Sequence, residues 1–378
     1  MDNTFSLRAA LGGMIAMGVA VGIGRFVYTP ILPPMLVALG LSKATAGLIA
    51  SANFAGYLAG ALGAARASLP GPRRRWLLGA LAVSAVSTVA MGFGGGLGWF
   101  LAMRFVGGVA SALVLILATA LVLEVLAKAG RPALAAVHFA GVGVGIAVSA
   151  ALVAGLAAYG ADWATMWRGS GAVSCLGLIA VALLLPGGGE APVVPVAPVV
   201  GGRDGRLTRM TVAYGLFGFG YVITATFLVA IVRGTPSVRA LEPVIWILVG
   251  LGAAPSVWFW GLLGRGIGTA RAFGAAALTE AVGVVASVAS EGALSVCLGA
   301  VLLGGTFMGL TALGLTRARE LATGDPRRAM GAMTGAFGAG QILGPLVAGV
   351  LSDTLGGFLV PSVLAAVGLG AAAWLARR

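Results

Sequence analysis

The chain has 378 residues, of which 59% are hydrophobic and only 9% are charged. Soluble domains carry about 25% charged residues, so this composition excludes a soluble globular protein. The formal net charge is +13, but the basic residues stand in short segments between long apolar runs. That distribution is typical of a polytopic membrane protein and argues against a nucleic-acid-binding protein.

Apolar runs long enough to cross a bilayer, which takes about 20 residues, alternate with charged or Gly- and Pro-rich segments. They predict an all-α membrane protein with twelve transmembrane helices. The spans are expected at 7–37, 43–66, 75–95, 97–127, 132–158, 163–185, 207–232, 239–264, 270–289, 293–318, 327–351 and 356–376.

An even number of spans places both termini on one side of the membrane. The segments on that side hold eighteen Lys and Arg residues, against four in the opposite segments and helix ends. Because cytoplasmic segments carry the excess of basic residues, we expect both termini to be cytoplasmic. The protein is expected to be a multi-pass protein of the cytoplasmic (inner) membrane.

Residues 186–206 are rich in Pro and Gly and predict a cytoplasmic linker. It separates an N-terminal six-helix bundle, 1–185, from a C-terminal one, 207–378. The two parts look related, because 22–32 parallels 218–228 at an offset of 196, and two further matches have offsets of 201 and 194. The pattern predicts two pseudo-symmetric six-helix repeats.

Arg25 is the first candidate site residue, because it lies within the first predicted span. A guanidinium at the centre of a bilayer costs about 2.5–3.5 kcal/mol, so it must face a partner, a water-filled cavity or a ligand. Pro30, Pro33 and Pro34 follow and predict a kinked or broken helix beside it. Tyr28 lies between Arg25 and these prolines and is a further candidate.

Arg104 and His138 are the next candidates for substrate binding. Arg104 lies in the fourth span, where it could line a cavity or snorkel to the outer surface. His138 is the only histidine and lies in the fifth span. It could bind an anion and carry a proton, or it could be a hydrogen-bonded core residue.

Other polar and amphipathic side chains within the spans could bind substrate or join helices. Tyr221 occupies the position of Arg25 in the second repeat, so we expect it to meet the same cavity from the other side. The remaining candidates are Asn53, Tyr57, Thr224, Trp246 and Gln341.

Two acidic residues within the spans are candidates for proton coupling, together with His138. Glu124 lies near the cytoplasmic end of the fourth span, where it could be hydrated or pair with a loop arginine. Glu280 lies near the middle of the ninth span. Because an ionised carboxylate there would be costly, we expect it to be protonated, turned inward or paired.

Nucleotide, metal and catalytic motifs are absent from the sequence. It has no Gly-rich loop ending in Gly-Lys-Ser/Thr. One histidine and two isolated cysteines, Cys175 and Cys297, do not give a zinc-ligand pattern. We therefore expect no enzyme activity, no metal and no cofactor.

The chain resembles the major facilitator superfamily over its whole length, and within it the YbfB/YjiJ branch. The resemblance rests on GIGRFVYTPILPPM at 22–35, supported by the stretches at 51–64, 138–150, 214–228 and 340–349. It implies a transporter with two six-helix halves related by an axis along the membrane normal. The superfamily usually has acidic and basic gating residues between helices 2 and 3, whereas residues 60–75 contain no acid.

The sequence is interpreted as a secondary transporter for a small organic anion, such as a carboxylate. The support is the cationic character of Arg25, Arg104 and His138 with no acid near them in the predicted spans. Its expected partners are that substrate, protons in a symport mechanism and the lipid bilayer, and a monomer is expected. Proton-driven efflux of hydrophobic or cationic drugs is the alternative, and a non-transporting receptor is a minor one.

Overall fold

The structure is a computed structural model that describes residues 3–66, 70–185, 205–322 and 326–377. Within these ranges the regular structure is entirely helical. The α-helices are α1 (Asn3–Met17), α2 (Tyr28–Leu39), α3 (Lys43–Arg66), α4 (Arg73–Met91), α5 (Leu97–Lys128), α6 (Ala135–Ala158), α7 (Trp163–Leu184), α8 (Gly205–Gly234), α9 (Glu242–Ile267), α10 (Thr269–Ala289), α11 (Ala293–Leu321), α12 (Pro326–Leu355) and α13 (Leu359–Arg377).

The twelve predicted spans are confirmed. Among the described residues, eleven segments are long and apolar enough to cross a membrane. The first of them, Thr4–Leu39, contains nearly all of α1, a π-helical stretch at Gly18–Ile23 and α2. The twelfth is α4, whose first turn holds Arg73, Arg74 and Arg75. These arginines lower its average hydropathy but lie at its end, where they can reach the interface.

Two of the boundaries that differ from the prediction change the connections between spans. The linker was expected to extend to residue 206, but α8 begins at Gly205; residues 186–204 lie outside the described ranges. The third span was expected to reach residue 95, but α4 ends at Met91. Gly94, Gly95 and Gly96 have positive φ angles of 72°, 140° and 81°, a conformation that turns the chain from the end of α4 into α5.

The helices pack as two groups. In the first group α3 and α4 pack on α5, α4 also packs on α7, and α1 packs on α6. In the second, α11 packs on α9 and α10, while α8 and α10 pack on α13 and α8 also packs on α12. The groups meet where α3 contacts α12, α6 contacts α9, and α2 contacts both α8 and α9. The two-bundle architecture predicted from the repeats is thereby confirmed.

Glycines allow the closest helix contacts. A Cβ atom on Gly145 of α6 would lie 2.6 Å from Cα of Gly18 in the first span. Between the two groups, a Cβ atom on Gly143 would lie 2.5 Å from the carbonyl oxygen of Gly250 in α9. In lipid, where apolar surface gives little association energy, such close backbone packing is a main source of helix–helix stability.

The two ends of the bundle are distinguished by the chain termini. The terminal face holds the start of α1 and the end of α13, and the opposite face holds the connections 40–42, 92–96, 159–162, 235–241, 290–292 and 356–358. These names are used below without reference to the side of the membrane.

We expect Gly145→Ala to destabilise the protein by about 1–3 kcal/mol, because the new methyl group meets backbone atoms that cannot move aside. Gly63→Ala is the matched control, since a Cβ atom there meets open space. The measurement is the thermal unfolding midpoint in detergent. Equal midpoints for the two variants would contradict the close contact.

Candidate functional site

The first span is broken at residues 24–27, between the π-helical stretch and α2. Pro30 has no N–H group to donate to the carbonyl of Phe26. The N–H of Thr29 donates to that carbonyl instead, at 3.2 Å. The carbonyl of Arg25 therefore loses its usual helical donor, and the break exposes main-chain oxygen inside the bundle. The break predicted from the prolines is confirmed.

Arg104 of α5 binds the exposed carbonyls. Its Nη1 donates to the carbonyl of Gly24 and its Nη2 to that of Arg25, both at 3.0 Å. Its guanidinium carbon also lies 5.0 Å from the ring centroid of Tyr28. Main-chain oxygens at membrane depth must find donors, and Arg104 supplies two from one planar group.

Arg104 does not snorkel to the surface, because only 3% of the residue is exposed. That reading of the sequence is wrong, and the reason is the break in the first span, which offers carbonyl acceptors in the interior. Nε of Arg104 has no hydrogen-bond partner in the described part of the chain. Its two hydrogen bonds join α5 to the main chain of the first span at the break.

The Arg25 side chain lies among aromatic rings, with 6% of the residue exposed. Its guanidinium carbon is 4.4 Å from the ring centroid of Tyr57, 4.7 Å from that of Phe54 and 5.6 Å from that of Phe26. Cation–π contacts of this kind stabilise the charge from the faces of the rings. Nε and Nη2 of Arg25 have no hydrogen-bond partner among the described residues.

Tyr28 and Asn53 have polar groups that join helices of the first bundle. The Tyr28 hydroxyl donates to the carbonyl of Ala46 at 2.9 Å. Nδ2 of Asn53 donates to the carbonyl of Arg104 at 2.9 Å, while its Oδ1 is unpaired in the described structure. The Tyr28 ring lies beside the Arg104 guanidinium and Asn53 binds the main-chain carbonyl of Arg104, so these contacts of both residues lie within the first bundle.

Tyr221 faces this group from the second bundle. It is close enough to Arg25 and Tyr57 to interact with them electrostatically. Its hydroxyl accepts a hydrogen bond from Nε2 of Gln341. Its ring stacks between Phe307 and Phe337, with centroids 5.7 and 5.8 Å away and interplanar angles of 4° and 5°.

The contact between the bundles follows the repeat. The Thr29 hydroxyl donates to the carbonyl of Ala225 at 2.7 Å, and these residues are separated by the repeat offset of 196. Equivalent positions touch only near a symmetry axis, so the axis passes between α2 and α8. Arg25 and Tyr221, which share the same offset, lie on either side of it.

Thr224 and Trp246 add two buried donors on the second bundle. Thr224 is fully buried and Trp246 is 2% exposed. The Thr224 hydroxyl and the Trp246 indole N–H have no hydrogen-bond partner in the described ranges. The Trp246 ring centroid lies 6.4 Å from that of Phe26, and the Phe26 ring also contacts the Arg25 guanidinium. Trp246 is therefore part of the group of aromatic rings around Arg25.

His138 is buried between α1, α5 and α6 and is not in contact with Arg25 in the described structure. Its Nε2 forms a 3.1 Å hydrogen bond with the Thr119 hydroxyl. Its Nδ1 lies against Gly13, where an added Cβ atom would clash with it. The structure therefore separates His138 from the group around Arg25.

The two acidic candidates have opposite environments. Glu124 forms ion pairs with Arg73 at 3.2 Å and Lys128 at 2.7 Å, and 39% of its side chain is exposed. Glu280 is fully buried, and neither carboxyl oxygen has a hydrogen bond of ordinary geometry to a described residue. Thr306 of α11 lies beside it, and Tyr221 lies nearby.

The sequence interpretation missed most of the aromatic rings that enclose the site. Phe54 lies one turn from Tyr57 on α3, so helical spacing could have placed it with the candidates. Phe307 and Phe337 come from α11 and α12. Their sequence surroundings are rich in Gly and Ala, like most of the chain, and give no signal that they stack on Tyr221.

Residues 17–377 match a family model described as the uncharacterised MFS-type transporter YbfB. The chain belongs to this family of the major facilitator superfamily. It is therefore a membrane transporter rather than an enzyme. No curated protein matches the sequence.

Solved transporter structures share the fold of this major facilitator protein. The crystal structure of a mutant of the nucleoside transporter NupG has a TM-score of 0.73 at 13% identity, over 98% of each chain. A D-xylose–proton symporter has a TM-score of 0.72 at 14% identity, over 98% of this chain and 96% of its own. A bacterial homolog of the human lysosomal transporter Spinster, inward-facing and occupied, has a TM-score of 0.73 at 14% identity, over 100% and 97%.

We expect Arg104→Met to lower the free energy of unfolding by about 2–4 kcal/mol, because it leaves two buried carbonyls without donors. Arg168→Met is the control, since the Arg168 guanidinium donates to the Thr165 hydroxyl of its own helix near the surface. Thermal unfolding in detergent measures both. An Arg104→Met midpoint equal to wild type would show that Arg104 does not hold the break.

Proposed function

We propose that the protein is a secondary active transporter for a small organic anion, whose carboxylate binds Arg25. The observation that carries the proposal is the buried Arg25 guanidinium, which has unpaired Nε and Nη2 groups. The four ion pairs of the described structure involve Arg73, Lys128, Arg233 and Arg317, and none involves Arg25. Its charge is thus free to take an external partner.

The rings around Arg25 complement such a ligand rather than replace it. Aromatic rings stabilise the cation, but ring carbons have no lone pairs that would accept ordinary hydrogen bonds from the guanidinium N–H groups. A carboxylate approaching in that plane can accept two parallel bonds from Nε and Nη2. The geometry therefore favours a planar anionic group at Arg25.

The facing side chains add donors for the anion. Because the Tyr221 hydroxyl accepts from Gln341, its own proton remains available to donate. Thr224 and Trp246 also carry unpaired donors in the described structure. A site with this surplus of donors favours an anion over a cation. We assign binding to Arg25, Tyr57, Tyr221, Thr224, Trp246 and Gln341, and positioning of the site to Tyr28, Asn53 and Arg104.

Proton-driven efflux of hydrophobic or cationic drugs is the competing function. The aromatic rings around Arg25 would suit an apolar drug, and the buried Glu280 carboxyl could draw a cation. Arg25 opposes this reading, because a second positive charge would have to be desolvated beside it. The two functions give opposite expectations for Arg25 variants.

We propose Glu280 as the proton-carrying group. The Thr306 hydroxyl beside it already donates to the carbonyl of Leu302 at 2.6 Å, so it can only accept a bond from Glu280. That partner suits the protonated carboxyl, which is a donor, better than the carboxylate. Glu124 is paired and exposed, and His138 bonds Thr119 away from the site, so neither is equally placed.

In the proposed cycle the anion binds Arg25 in the first bundle and the proton binds Glu280 in the second, with Tyr221 between them. Rocking of the two bundles would expose the site to each side in turn. Binding of both the anion and the proton would favour the conformational change that moves the site from one side of the membrane to the other, since each ligand would stabilise one conformation more than the other. We further propose a monomer in the cytoplasmic membrane with both termini in the cytoplasm.

Uptake into proteoliposomes tests the anion site. A panel of aliphatic and aromatic carboxylates is compared with a cationic dye. We expect Arg25→Gln to reduce carboxylate uptake at least about 30-fold, as a lost charge-assisted pair costs about 2–5 kcal/mol. Arg25→Lys should recover little of it, because an ammonium cannot replace the bidentate group.

Arg168→Gln is the matched control for loss of one positive charge and should transport normally. Each variant is checked for folding by its thermal midpoint. Dye flux that is unchanged in Arg25→Gln, with no carboxylate flux in wild type, would replace the anion proposal with drug efflux.

Glu280→Gln tests the coupling. The amide imitates the protonated carboxyl, so we expect exchange of anion across the membrane to persist while accumulation driven by a pH gradient is lost. His138→Gln and Glu124→Gln are the comparison variants and should retain accumulation. Accumulation that survives in Glu280→Gln and is lost in His138→Gln would move the proton site to α6.

A further inference from the structure

The helices α3 and α12 belong to different bundles and are tightly joined near the opposite face. A Cβ atom on Gly349 of α12 would lie 2.8 Å from Cα of Ala44, and one on Gly47 of α3 would lie 2.8 Å from the carbonyl carbon of Pro345. Further along, the Ser51 hydroxyl donates to the carbonyl of Ile342 at 2.7 Å. Main-chain atoms of α3 and α12 are thus in close contact along this half of their interface, which is called the seam below.

Asp353 joins the two helices at the end of the seam that lies nearest the opposite face. Its Oδ1 accepts the N–H of Lys43 at 3.1 Å, and its Oδ2 accepts the N–H of Ala44 at 2.8 Å. Nζ of Lys43 donates in return to the carbonyl of Ser352 at 3.3 Å. One carboxylate of the second bundle thus holds the first turn of a helix of the first bundle.

These bonds replace a missing part of the cap of α3. The first N–H groups of a helix have no acceptor within it. Ser42 precedes α3 and its hydroxyl accepts the N–H of Thr45 at 3.0 Å, as a capping residue should. The N–H groups of Lys43 and Ala44 are bound by Asp353. A carboxylate at this position also meets the positive end of the helix dipole.

The same two helices are not closed in this way near the terminal face. A Cβ atom on Gly63 of α3, or on Gly331 or Gly335 of α12, would meet no atom within 4 Å. Residues 60–75, from the last turns of α3 to the start of α4, contain no acid that could cap a helix of the second bundle. Among the described residues, capping across the bundles is therefore a property of the opposite face.

We propose that Asp353 is a latch that holds the opposite face closed and must release α3 each time that face opens. Opening separates α3 from α12 and leaves the Lys43 and Ala44 N–H groups without their acceptor. The latch therefore biases the protein toward the state that is closed at the opposite face. The proposal uses the two-bundle fold and is independent of the substrate and the proton assigned above.

A cysteine reporter tests the latch without a substrate. Cys175 and Cys297 are replaced by Ser, and Ala50→Cys is introduced. Ala50 is 2% exposed and lies one turn from Phe54, on the opposite-face side of the site. The rate of labelling by a membrane-impermeant maleimide is measured in intact cells or in inverted vesicles. The preparation chosen is the one in which the maleimide labels Tyr159→Cys rapidly. Tyr159 is 93% exposed on the opposite face and so identifies its side.

We expect Asp353→Ala to raise the labelling rate of Ala50→Cys at least about tenfold, with no change at Tyr159→Cys. Thr354→Val is the matched control and should have no effect, because the Thr354 hydroxyl donates to the carbonyls of Val350 and Leu351 in its own helix. Gly349→Ala should act like Asp353→Ala, since its methyl group pushes the same seam apart.

Asp353→Asn covers the case in which Asp353→Ala does not fold. It keeps one acceptor and loses the charge, so its labelling rate should lie between those of wild type and Gly349→Ala. A rate within twofold of wild type in Asp353→Asn, together with an increased rate in Gly349→Ala, would overturn the latch. Loss of anion transport in Arg25→Gln leaves labelling unchanged, so failure of either proposal can be recognised separately.

Discussion

Two hydrogen bonds from Arg104 to the carbonyls of Gly24 and Arg25 hold the site in place. Pro30 interrupts the helical bonding of the first span, and the freed carbonyls would be unstable at membrane depth without donors. Arg104 supplies those donors and is itself kept in the interior by them. Because the chain is fixed at this break, the Arg25 side chain is held against Phe54 and Tyr57.

Arg104 and Arg25 therefore have different roles. Arg104 has two of its three nitrogens bound to the main chain, whereas Arg25 has two nitrogens without partners in the described structure. Their sequence surroundings are similar, since both lie within apolar spans. What distinguishes them is the acceptor within reach, and this difference supports Arg104 as a structural residue and Arg25 as the ligand-binding one.

The bundles are related by a repeat, and both contain a close glycine contact. A Cβ atom on Gly145 of α6 or on Gly340 of α12 would meet main-chain atoms of the first helix of its repeat. The bundles differ in the side chains near the axis. On the second bundle, Tyr221 stacks between Phe307 and Phe337. The equivalent residues Arg25 and Tyr221 thus lie in unlike surroundings across one axis, and an asymmetric ligand with a charged end would fit this arrangement.

The sequence by itself determined the class, the number of spans, the repeat and the family resemblance, because hydropathy and charge act over stretches of about 20 residues and survive without tertiary detail. It also identified Arg25, because a lone guanidinium in an apolar span is costly in any packing. Only the tertiary structure separated Arg104 from Arg25, placed His138 outside the site and joined Asp353 to α3. These outcomes depend on which carbonyl, hydroxyl or N–H group the packing brings within about 3 Å, and contacts over such distances are not encoded in hydropathy or spacing.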